Sequence, residues 1–183
     1  YIDASGQSFR DFLAGRLPAL PGEIPTVTDW NDHITTAFPE VRLKSFLEMR
    51  GADGGPWQRL CALPALWVGL LYDNAALDAA HDLIADWTEA ERDAMRAEVP
   101  KLGLDARIRS RTLREVALEV LDFAREGLHR RRRLDRAGED ETHFLDTLFS
   151  IAGSGRTQAA EMLEDYEKRW GGDIKRVYEE YAY

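Results

Sequence analysis

Glu48 and Arg50 stand two residues apart at the end of the run Val41–Arg50, just ahead of a glycine-rich stretch. A carboxylate there can give an oxygen to a divalent cation, and a guanidinium can grip a phosphate oxygen through its planar fork. Phosphoryl transfer uses both, because its catalysis is mainly positioning and charge stabilisation. The same residue types also form cross-strand ion pairs on solvated sheets, which contribute little, and spacing alone favours that plainer role. Arg42 shares the charged face and can contact a substrate or nucleotide, or pair with a neighbouring strand. Asp53, in the turn that follows, can stand beside a bound cofactor or act as an Asx-turn residue. Trp57 can wall a substrate pocket or head a buried helix. Arg10 can hold a substrate carboxylate, or lie idle on an exposed helix.

These groups need elements to position them. Val41 to Arg50 alternates with period two, so the expectation is one strand. Val41, Leu43, Ser45, Leu47 and Met49 form its apolar face, opposite Arg42, Lys44, Phe46, Glu48 and Arg50. Gly51, Gly54 and Gly55 then allow a tight turn. They do not make a phosphate-binding loop, since G-x-x-x-x-G-K-[ST] is missing. Ahead of the strand, residues 1–4 read as a strand end and 9–14 as a short helix closed by Gly15. Pro18 to Pro25 reads as a loop, and 29–36 as a helix capped by Thr28. Beyond Pro56 the run from Trp57 to Leu71 is apolar nearly all round, which predicts a buried helix. Thr88 with Glu91 and Thr112 with Glu115 spell two capping boxes. Apolar residues from Leu113 to Leu128 recur at helical spacing over more than four turns, so the C-terminal half should be helical.

Other candidates have plainer readings. His81, His129 and His143 share no metal-ligand spacing. Cys61 lies in an apolar run and reads as inert core. The run His129–Arg133 falls at a helix end, where positive charge complements the macrodipole. The 183 residues are 44% hydrophobic and 31% charged, with a net charge of −9. That composition suits one globular domain and makes nucleic acid and anionic membranes poor partners. A single cysteine cannot form an internal disulfide, which fits a reducing, cytoplasmic setting.

The run His33–Asp73, HITTAFPEVRLKSFLEMRGADGGPWQRLCALPALWVGLLYD, resembles the plant-type glutamate–cysteine ligases, which also occur in bacteria. The opening YIDASGQSFRDFLAG and the closing EEYAY resemble the same family, so the likeness covers essentially the whole chain. It implies an α+β fold, mainly helical, with a few antiparallel strands belonging to a glutamine synthetase-like ligase sheet. It also implies that the chain is the C-terminal part of one catalytic domain, with residues 1–57 as active-site strand and loops and 58–183 as the helical portion. The rest of the same enzyme would then be a partner. The implied reaction joins the glutamate γ-carboxylate to the cysteine amine with ATP, the first step of glutathione synthesis. By resemblance Glu48 would be a Mg²⁺ ligand and Arg50 the residue that reaches the transferred phosphate. His33, Thr35 and Thr36 would lie near the active-site sheet, with the threonine hydroxyls bound to substrate or only to local backbone. Plant members are disulfide-regulated, and the lone Cys61 gives no reason to carry that control over. Two alternatives stay open: a ligase with another amine acceptor, and a non-catalytic helical interaction domain.

Overall fold

A computed structural model describes residues 2–182. The chain divides into two units, Tyr1–Ala52 and Asp53–Tyr183. The fold is α+β and mainly helical, with two antiparallel two-stranded sheets among the described residues.

In the first unit, helix α1 (Phe9–Leu13) starts at Ser8, whose hydroxyl accepts the Arg10 N–H. It ends before Gly15, which takes φ 67°. Ile2–Ala4 form no strand, contrary to expectation, and Tyr1 lies outside the described residues. The proline-rich loop is tied to α1 through Gln7, whose Oε1 accepts the Ala19 N–H at 3.0 Å. Helix α2 (Val27–Thr35) is capped by Thr26 rather than Thr28. Asp29 decides this: as the third helical residue it returns its carboxylate to the Thr26 N–H at 2.7 Å and completes a capping box.

The main departure lies in Val41–Arg50. It is not one strand but a hairpin, β1 (Val41–Leu43) against β2 (Leu47–Met49), reversed through Lys44–Phe46. Val41 faces Met49, Arg42 faces Glu48 and Leu43 faces Leu47. Odd positions pair with odd and even with even, so the reversal keeps both faces intact. Period-two alternation therefore cannot distinguish this hairpin from a straight strand. The Lys44 N–H closes the turn on the Phe46 carbonyl, and the Arg50 N–H bonds the Glu40 carbonyl, both at 2.8 Å. The apolar face is open, with Leu43 79% and Leu47 63% exposed, while Arg42, Glu48 and Arg50 are half-buried.

The second unit is helical. After Pro56 come α3 (Trp57–Leu71), α4 (Asn74–Ile84) and α5 (Glu89–Leu102). A small hairpin, β3 (Arg107–Ile108) with β4 (Arg111–Thr112), leads into α6 (Leu113–Arg131). Then follow α7 (Asp146–Ser154), α8 (Gln158–Glu164), a π-helical turn over Asp165–Arg169, and α9 (Arg176–Glu180). Both expected capping boxes form, Thr88 with Glu91 and Thr112 with Glu115. The core joins Ala65 and Leu70 of α3, Leu121, Ala124 and Leu128 of α6, Leu145, and Ala152 of α7.

Helix α3 buries Ala62, Ala65, Gly69 and Leu70. It is not buried all round as expected, since Leu60 is exposed and Trp57 is 76% exposed. Gly69 and Gly127 let the α3 and α6 backbones touch: a Cβ on Gly69 would overlap the Ala124 carbonyl, and one on Gly127 would overlap the Gly69 carbonyl. No single helix among the described residues is long and apolar enough to cross a membrane.

Candidate active site

The hairpin brings three of the expected residues together. Arg42 and Glu48 are directly opposed, and Arg42 donates from Nε to Glu48 Oε2 at 2.8 Å, with Nη2 also at 2.8 Å. Arg50 Nε lies 3.9 Å from the same oxygen. Lys44 Nζ approaches Glu48 Oε1 at 4.0 Å. One carboxylate thus sits among three cations. The Arg42 hydrogen bond first, and then the charges of Arg42, Lys44 and Arg50, hold it below the usual carboxylate range against the opposing effect of desolvation. Glu48 is therefore ionised at neutral pH, and its Oε1 is the less committed oxygen.

Arg50 has a different state. Its guanidinium carbon stands 5.4 Å from the Phe38 ring centroid. Its Nη1 is enclosed and has no hydrogen-bond partner among the described residues, an arrangement that carries a desolvation penalty unless a ligand accepts from it. Two features escaped the strand reading. Lys44 enters the cluster because the chain reverses immediately after it. Phe38 lies under Arg50 although its position before Pro39 marked only a helix end.

The remaining candidates are placed as follows. Thr35 and Thr36 donate their hydroxyls to the Asp32 and His33 carbonyls at 2.6 and 2.7 Å, so toward a substrate they retain only acceptor capacity. Arg10 lies exposed on α1. Asp53 and Trp57 belong to the second unit. Asp53 Oδ1 accepts the Gly54 N–H at 2.9 Å, as a turn residue would. Trp57 edges a shallow cavity of about 240 Å³ with Cys61, His143 and Phe144. Cys61 is half-buried and free.

A magnesium ion needs hard oxygen ligands. Among the described residues no group of three or more His, Cys, Asp or Glu side chains could hold a metal. In this cluster Glu48 offers one weakly engaged carboxylate oxygen, Oε1, with Lys44 Nζ at 4.0 Å. That fits the usual way Mg²⁺ is held, by one or two carboxylates together with substrate phosphates, but does not make a complete site. The three histidines have local partners: His129 Nδ1 lies 3.1 Å from Asp140 Oδ2, His143 Nδ1 lies 2.6 Å from the Asp140 carbonyl, and His81 Nδ1 lies 3.8 Å from Asp82. In the basic run, Arg130 pairs with Asp73 at 2.8 Å and Arg131 with Glu141 at 3.4 Å.

The family model described as Glutamate-cysteine ligase family 2 (GCS2) matches residues 5–180. The chloroplastic glutamate–cysteine ligase of Arabidopsis thaliana is 53% identical over 183 residues, all of this chain and 34% of that protein. Those of Brassica juncea and Solanum lycopersicum are each 51% identical over the whole chain, again 34% of the relative. The chain thus spans about a third of the length of the curated relatives it matches. The cytoplasmic location expected from the lone cysteine is overturned by these names, since the matched relatives are chloroplastic. With the match running almost from end to end, this chain belongs to the glutamate–cysteine ligase family 2.

Proposed function

We propose that this chain is part of an ATP-dependent glutamate–cysteine ligase, in which the β1–β2 hairpin handles phosphate. In the proposed reaction the γ-phosphoryl group of ATP passes to an oxygen of the glutamate γ-carboxylate, giving ADP and γ-glutamyl phosphate. The cysteine amine then attacks the acyl carbon, the carbon–oxygen bond to phosphate breaks, and the nitrogen loses a proton as the amide forms. Inorganic phosphate leaves, and the product is the precursor of glutathione.

Arg50 carries the reading. Its enclosed, unpartnered Nη1 is a donor awaiting an acceptor, and a phosphoryl oxygen is a strong one. Arg50 would stabilise charge on the transferred group, with Arg42 and Lys44 adding positive potential. Glu48 would hold Mg²⁺ through Oε1, the ion supplying charge neutralisation on the nucleotide phosphates. Thr35, Thr36, Arg10 and Trp57 are proposed substrate contacts, and Asp53 a cofactor contact. The rest of the polypeptide would supply the other metal carboxylates and the strands that cover Leu43 and Leu47.

In a full-length ligase containing this segment, Arg50→Ala should lower the rate of ATP-dependent γ-glutamylcysteine formation by about 100-fold or more. Glu48→Gln should lower it comparably and raise the Mg²⁺ concentration required. Unchanged turnover and unchanged Mg²⁺ dependence would leave the segment a helical interaction domain. The isolated 183-residue chain should release no phosphate from ATP in the presence of glutamate and cysteine; turnover there would show that it needs no other part.

A further inference from the structure

The first unit holds a second concavity, which shares only Thr36 with the proposed substrate contacts. Phe9 and Phe12 of α1, Leu17 of the following loop, and Asp29, Asp32 and His33 of α2 line a cavity of about 370 Å³. The acidic wall follows from helix spacing: 29, 32, 33 and 36 fall on one face of α2 and its cap. The aromatic wall is held in place by ring contacts. Phe9 stacks on His33 with centroids 4.0 Å apart and planes 10° apart, and meets Phe12 edge-on at 5.6 Å. Leu17 is the buried floor residue, and the Gln7 bond to Ala19 fixes the loop that carries it.

The electrostatics of this cavity are one-sided. Two carboxylates stand on its wall, and neither lysine nor arginine is among its lining residues. Asp29 spends Oδ2 on the Thr26 backbone and hydroxyl. These bonds, the hydroxyl first, lower its pKa against a smaller desolvation effect, so it stays ionised. Asp32 accepts no hydrogen bond at its carboxylate and forms no ion pair among the described residues. An aromatic face beside a carboxylate suits an organic cation, through cation–π attraction and direct charge pairing. Apart from the His33 ring, which is stacked on Phe9, a free carboxylate or phosphate would find no cationic side chain in the lining.

We infer that the α1–α2 cavity binds a small organic ammonium ion with an apolar body, its nitrogen beside Asp32 and its alkyl part against Phe9 and Phe12. This does not rest on the ligase reading. An amino-acid substrate is a zwitterion, and its carboxylate would meet the carboxylates of Asp29 and Asp32.

Calorimetric titration of the 183-residue chain with n-butylammonium tests the assignment, with n-butanol and zwitterionic norleucine as matched probes. Butylammonium should saturate one site, with butanol and norleucine weaker by roughly fivefold or more. Asp32→Asn, at an exposed position outside the core, should weaken butylammonium by a similar factor and leave butanol unchanged. The Phe9 and His33 ring resonances should shift with the same titration curve. Equal affinity for butanol would reduce the cavity to an apolar dimple, and tighter norleucine binding would make it an amino-acid site. No saturable binding, or an unaffected Asp32→Asn variant, would equally overturn the inference.

Discussion

The two oxygens of the Glu48 carboxylate are committed to different degrees. Its Oε2 is committed to Arg42 at 2.8 Å while Oε1 sees only Lys44 at 4.0 Å. Arg42→Ala in the full-length ligase should therefore impair Glu48 positioning less than Glu48→Gln removes its charge, and a Mg²⁺ titration of both variants would rank them. Asp73 offers a cleaner pH signature. It accepts from Arg130 Nε and Nη2 at 3.1 and 2.8 Å and caps α4 through the Ala76 N–H at 2.9 Å. The Arg130 bonds, then that cap, lower its pKa to about 2. A carboxyl lowered on folding binds fewer protons in the native state than in the unfolded one. Its stabilisation is thus complete above the ordinary carboxylate range, near pH 4, and is lost as pH falls toward 2. Denaturant midpoints measured from pH 5 down to pH 2 should fall less steeply for Asp73→Asn than for the parent chain. At this scale residue types were legible but partners were not: Glu48 and Arg50 could be singled out, whereas Arg42 as the direct partner of Glu48 depends on a chain reversal.

Among the elements, helices were far easier to read than strands. The Thr88/Glu91 and Thr112/Glu115 boxes are local hydrogen-bond patterns, and both form where the spacing put them. The hairpin was missed because alternation survives a turn about Ser45, and Lys44–Phe46 contains neither glycine nor proline to announce it. The β3–β4 hairpin is shorter still, with Arg109 at φ 55° in its turn, where glycine or asparagine would have been the usual signal. The crossing of α3 and α6 was also invisible in periodicity, because Gly69 and Gly127 act by lacking a side chain. Gly69→Ala and Gly127→Ala should each destabilise the chain by about 3 kcal/mol, as overpacking against backbone does. Gly153→Ala, in a helix with open space around the new methyl, should stabilise it by up to about 1 kcal/mol. Thermal or chemical unfolding of the three variants checks the contrast.

Across the whole molecule the two units differ in what holds them together. Leu17 is the one buried hydrophobic residue of the first unit among the described residues, while the other buried hydrophobics all lie in the second. Ile24, Val27 and Phe38 are each at least 70% exposed. Burial of apolar area is the main stabilising effect, so the first unit has little of its own. Hydrogen exchange on the 183-residue chain should find fast amides through α1, α2 and the β1–β2 hairpin, and slow ones in α3 and α6. Uniform protection would contradict this. Composition announced a globular chain but not this imbalance, because counting apolar residues does not reveal which of them have neighbours. The pairing of Arg42 with Glu48 carries one more implication. A one-residue slip in the pairing of β1 with β2 would turn the slipped strand's side chains to the opposite surface, parting acid from base without altering either. Working members of this lineage should therefore vary the letters of that bend freely while keeping the alignment that sets Arg42 against Glu48.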